Sequence, residues 1–127
     1  PWAGREVLVV RGEDGRDWLS DQWRQAGAHV DFVAAYRRRP PRGSPQELAL
    51  ADAALARPDA VAWLFSSSEA LGHLGACRPG ADWSGSVALA THPRIAAATQ
   101  ALRFGEVRTV DPSPDAVAAA LRALPAR

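Results

Sequence analysis

Short apolar runs that alternate with segments of helical period constrain this chain more than any other feature. The sharpest case is Val61-Ala62-Trp63-Leu64-Phe65-Ser66-Ser67-Ser68-Glu69-Ala70-Leu71. An apolar strand there runs straight into three serines and then a helix. Backbone N–H groups, hydroxyls and the positive end of a helix dipole meet at such a turn, which is where an open α/β protein holds an anion. The same alternation opens the chain. Glu6-Val7-Leu8-Val9-Val10 reads as a strand covered on both faces, and the glycine-bracketed turn Arg11-Gly12-Glu13-Asp14-Gly15 follows it. Between Arg16 and Ala26 the residues Trp18, Leu19, Gln22, Trp23 and Ala26 share one helical face, and Gly27 supplies the stop. The run from His29 to Tyr36 is the next strand, which completes one βαβ unit.

Residues 37–45 break the pattern, because three prolines and a run of arginines cannot continue a central strand or a helix. Ser44-Pro45-Gln46-Glu47 then supplies an N-cap, a first-turn proline and an acidic first turn, opening a helix to about Ala56. Beyond it, strands are expected at 59–65, 86–91 and 106–110, and helices at 68–77, 93–103 and 114–124, the last capped by Ser113. Repeated βα units with short loops predict an α/β fold with a parallel, doubly wound sheet. Ligands of such sheets gather at the carboxyl ends of the strands, so residues 11–16, 66–68 and 91–94 are the candidate site loops. Each loop also has a purely structural reading. Gly12 and Gly15 turn the chain, the serines cap a helix, and Pro93 starts one.

Composition narrows the function classes. With 127 residues, 47% hydrophobic and 23% charged, the chain has the balance of a soluble globular protein able to bury a core. No apolar run approaches the ~20 residues of a membrane span. Pro1-Trp2-Ala3-Gly4-Arg5-Glu6 lacks the layout of a signal peptide, so a cytoplasmic address is expected. Cys77 stands alone and reads as a small apolar helix residue, with no disulfide and no metal cluster implied. All fifteen basic residues are Arg, the side chain that pairs bidentately with carboxylate, although GC-rich coding explains the same bias. The net charge is only +1 and no aromatics interleave the arginines after Tyr36. Residues 37–42 therefore read as a solvated linker rather than a nucleic-acid patch. No Walker A loop or GxGxxG fingerprint is present, so no nucleotide cofactor is expected. The chain has no Met and begins with Pro1, which is expected of a piece of something longer.

The order of motifs resembles one family. It runs from Val7-Leu8-Val9-Val10-Arg11-Gly12-Glu13-Asp14-Gly15-Arg16 through Val30-Asp31-Phe32-Val33-Ala34-Ala35-Tyr36-Arg37 and Phe65-Ser66-Ser67-Ser68-Glu69-Ala70-Leu71 to Ala90-Thr91-His92-Pro93-Arg94-Ile95-Ala96. Together with the closing helix, it is similar to the C-terminal half of uroporphyrinogen-III synthase. The resemblance implies two flavodoxin-like domains, one inserted in the other. Residues 1–35 would close the inserted domain, 36–42 would form the connecting segment, and 43–127 would be the closing half of the split domain. It also implies a lyase of haem biosynthesis, with no cofactor. The substrate would be hydroxymethylbilane, a linear tetrapyrrole bearing many carboxylates, which is cyclised with inversion of the last ring and loss of water. In the family the site lies between domains, where helix N-termini and backbone amides bind carboxylates. By the same likeness Ser66, Ser67 and Ser68 would bind substrate carboxylate, with Gly12, Thr91, Pro93 and Arg94 as further substrate contacts. Tyr36 would assist departure of the hydroxyl. His92 stands where the family has glycine and Ile95 where it has threonine.

Two other classes fit the residues. One is a flavodoxin-like anion-binding or receiver-type module without chemistry, against which stands the lack of an acidic cluster at the strand ends, since Asp59 lies at a strand's start. The other is a noncatalytic fragment that pairs with a second copy to bury open strand edges.

Overall fold

The computed structural model describes residues 1–126, which form two compact units that divide between Pro40 and Pro41. Arg127, the last residue of the second expected domain, lies outside the described residues.

The first unit contains β1 (Glu6–Gly12), α1 (Trp18–Gln25) and β2 (His29–Tyr36). The strands pair in parallel from Glu6↔His29 to Gly12↔Tyr36, with an irregularity between Arg11 and Gly12. Parallel pairing requires a crossover, and α1 supplies it. The helix is shorter than the expected 16–26. Beyond it Gly27 takes a left-handed φ of 91°, which turns the chain into β2. Val7 and Val9 are half-buried, whereas Leu8 and Val10 on the opposite face are 62% and 64% exposed. This corrects the expectation of a strand covered on both faces, because one crossover helix can cover only one side of a two-stranded sheet. Trp18 and Leu19 are exposed as well. The expected helical face is thus only partly packed, chiefly through Trp23, whose ring centroid lies 6.0 Å from that of Trp2.

The second unit runs α2 (Pro45–Ala56), β3 (Ala62–Phe65), α3 (Ser68–Cys77), β4 (Val87–Ala90), α4 (Pro93–Ala101), β5 (Glu106–Thr109) and α5 (Pro114–Arg122). Ser44 and Glu47 form a full capping box at α2: Ser44 Oγ accepts from the Glu47 N–H at 3.1 Å, and the Ser44 N–H donates to Glu47 Oε2 at 2.8 Å. The sheet is parallel in the order β3-β4-β5, with Phe65, Ala90 and Thr109 abreast at its carboxyl edge. The central strand reads Val87-Ala88-Leu89-Ala90 without a polar residue because it is buried on both faces. One face carries the core. Trp63, Phe65, Trp83 and Phe104 pack there in stacked and edge-on pairs with centroids 5.1 to 6.3 Å apart, against Leu71 and Ile95. The regular elements stop slightly short of the expected ranges for visible reasons. At 58–60 a turn precedes β3, with the Ala60 N–H bonded to the Arg57 carbonyl at 3.0 Å, and α4 ends before Arg103, whose φ of 65° is left-handed.

Among the described residues no helix is long and apolar enough to cross a membrane. Leu71, 1% exposed inside the aromatic cluster, is the anchor of α3. Leu71→Ala is expected to lower the unfolding free energy by about 2–5 kcal/mol, measured by denaturant titration.

Candidate functional site

In the first unit the carboxyl ends of β1 and β2 bring Gly12 and Tyr36 together. The two residues are register partners, and the Glu13 N–H donates to the Tyr36 carbonyl at 2.7 Å. The irregularity after Arg11 lets the phenol lie against bare backbone. A Cβ built on Gly12 would stand 2.6 Å from Tyr36 Cε2, so glycine at this position is a condition of the ring's placement. Tyr36 as a residue is 56% exposed. Arg37 pairs with Glu13 across the same edge at 3.0 Å.

Arg11, inside the candidate loop 11–16, finds a partner outside it in Phe32 of β2. The Arg11 guanidinium carbon sits 4.1 Å from the centre of the Phe32 ring, and Arg11 Nη1 donates to Asp17 Oδ1 at 2.8 Å. Together with Gly15, Arg16, Trp23 and Tyr36 they line a cleft of about 420 Å3. The signal was present in part. Arg11 belongs to the glycine turn already singled out, but its partner Phe32 is found only through strand register, since Val9 pairs with Phe32.

In the second unit Ser66, Ser67 and Ser68 are all exposed at the carboxyl end of β3. Ser67 occupies the N-cap position of α3 in extended conformation, yet its hydroxyl accepts no hydrogen bond from the helix. The capping role expected of a serine here is therefore not taken up. By contrast Ser44, His92 and Ser113 cap α2, α4 and α5 with their side chains. The Ser67 hydroxyl is therefore not committed to capping α3.

Thr91 lies beside Ser66. Its N–H and hydroxyl both donate to the Phe65 carbonyl, at 3.2 and 3.4 Å, tying β4 to the end of β3. Ser66 and Thr91 line a shallow cleft of about 520 Å3 with Leu64, Ser113 and the apolar face of α5. Ser113 was legible in the sequence only as a cap. Pro93 and Arg94 form the exposed first turn of α4 and line neither cleft. His92 Nδ1 accepts from the Arg94 N–H at 3.0 Å, so this imidazole is a helix cap. Ile95 is buried in the core rather than presented at the turn, which accounts locally for an apolar residue there.

The described residues contain no cluster of three or more His, Cys, Asp and Glu arranged to hold a metal. Asp82 has its carboxyl held below the ordinary value by the Ser84 hydroxyl and then the Ser84 N–H, but it lies in the connection before β4, away from these turns. Cys77, at the end of α3, is half-buried.

Parallel βα units in two open sheets, with their connecting turns at the carboxyl ends of the strands, define an α/β protein of flavodoxin-like character. A family profile described as uroporphyrinogen-III synthase HemD matches residues 2–119. The chain belongs to that family.

The cap assignment of His92 separates structure from chemistry. His92→Ala is expected to cost about 0.5–2 kcal/mol of stability, and His92→Ser to recover most of it, because hydroxyl and imidazole serve the same N–H. Thermal unfolding of both variants measures this; equal losses would contradict the cap.

Proposed function

We propose that this sequence supplies the strand-end site of a uroporphyrinogen-III synthase, a lyase that cyclises hydroxymethylbilane to uroporphyrinogen III with inversion of the last ring. The family match over residues 2–119 carries the reading. The chemistry of the turns supports it, since a substrate bearing many carboxylates suits exposed serine hydroxyls at a helix N-terminus.

In this reading a substrate carboxylate sits at the start of α3 against Ser66, Ser67 and Ser68. Thr91, Pro93 and Arg94 contact the substrate at the neighbouring turn, with Arg94 as the charged donor. Gly12 contributes bare backbone and holds Tyr36 in place. Tyr36 acts on the leaving group: as the C–O bond of the hydroxymethyl carbon breaks, its electron pair stays on oxygen and the phenol transfers its proton to that oxygen, so that water departs and a phenolate remains. The cation left on the tetrapyrrole is then attacked by the last ring, through a spiro intermediate, before the macrocycle closes. The remaining work is positioning and exclusion of solvent.

The domain reading is part of the proposal. Residues 1–35 close an inserted α/β domain, 36–42 connect, and 43–127 close the split domain. Two features support it: the division between Pro40 and Pro41 falls inside that connection, and Leu8 and Val10 present an apolar face that a further layer would bury.

Steady-state cyclisation assays test the roles separately. Tyr36→Phe is expected to lower kcat by about 10²-fold with the III isomer still the main product, the loss typical of a removed general acid. Unchanged turnover would remove Tyr36 from the chemistry. Ser67→Leu is expected to raise KM about tenfold with kcat retained, as for a lost charge-assisted hydrogen bond. An unaltered KM would show that carboxylate binds elsewhere.

A further inference from the structure

We propose that the cleft at the carboxyl edge of β1 and β2 is a subsite for one carboxylated pyrrole ring, with Arg11 as the residue that receives the carboxylate. The inference rests on the reading above, that the protein acts on a carboxylated tetrapyrrole, and adds which groups of the first unit recognise it. At about 420 Å3 the cleft is at the small end of ligand sites, with room for a single ring and its acid side chains.

Its lining joins two chemistries. Trp23, Leu19 and Tyr36 give a flat ring apolar and aromatic contact, while Arg11 and Arg16 bring guanidinium groups to the same lining. Among these arginines Arg11 is preorganised. Phe32 lies beneath its guanidinium at 4.1 Å, and Asp17 Oδ1 at 2.8 Å and the Arg16 carbonyl at 3.4 Å both engage Nη1. Nε–H and Nη2–H are left to form the two-pronged donor that matches a carboxylate. With its side chain only 25% exposed, Arg11 offers this fork in a partly desolvated setting, where a charge-assisted hydrogen bond is stronger than at the open surface. Asp17 fixes the fork's direction without occupying it. Holding a long side chain in one geometry before the ligand arrives removes much of the ordering cost of binding.

The full 127-residue chain, labelled with nitrogen-15, can be titrated with a monopyrrole that carries one acetate and one propionate group, and in parallel with its dimethyl ester. The diacid is expected to shift the Trp23 indole N–H and the Gly12 and Gly15 amides saturably, and the diester to bind at least about tenfold more weakly. Arg11→Gln should weaken diacid binding by about tenfold or more, and Arg11→Lys should fall between, because it keeps the charge and loses the fork. Absence of a saturable shift at those three signals, equal binding of diester and diacid, or an unchanged Kd in Arg11→Gln would each overturn the proposal. The ester comparison needs no substitution, so it decides the matter even if Arg11→Gln disturbs α1. Failure here, with Tyr36→Phe still slowing cyclisation, would remove the subsite and leave the enzyme reading standing.

Discussion

Parallel pairing of β4 with both of its neighbours is the constraint on which the second unit depends. Four consecutive residues without polar side chains can sit at the centre of a sheet only if layers cover both faces. Once they do, Phe65, Ala90 and Thr109 end at one level, and the turns that follow must emerge together. The proximity of Ser66 and Thr91 is a product of that register. Thr91 reinforces it by donating twice to the Phe65 carbonyl, so the carboxyl edge of the sheet is held by the ladder beneath it. The aromatic cluster of Trp63, Phe65, Trp83 and Phe104 fixes the same layer from one side.

The first unit follows the same rule with fewer parts. Two parallel strands and one helix place Gly12 and Tyr36 side by side, and the cation above Phe32 and the Asp17 ion pair stiffen the turn between β1 and α1. Its opposite face stays open at Leu8 and Val10, and a two-stranded sheet is a marginal structure by itself.

Sequence periodicity made the order of elements legible, and for plain reasons. Val87-Ala88-Leu89-Ala90 has the unbroken apolar run of a central strand, and Ser44-Pro45-Gln46-Glu47 states a capping box outright. What it concealed was coverage. Val7-Leu8-Val9-Val10 has the same run as β4 but is half open, because burial depends on layers that a strand's own residues do not specify. Candidate site residues divide in the same way. Gly12 and Tyr36, and Ser66 and Thr91, come together because strand ends in a parallel sheet must. The part played by His92 depends on one side-chain rotation that places Nδ1 on a helix N–H, and the Arg11–Phe32 contact depends on strand register, which spacing alone does not disclose.

Gly12 carries a consequence that reaches past its turn. Because the space a methyl group would fill is taken by the Tyr36 ring, the phenol's position is encoded by an atom that is missing. A substitution at position 12 therefore acts first on where the phenol sits, through a neighbour rather than through any contact of its own. A survey that ranks residues by the contacts their side chains make would overlook this position altogether.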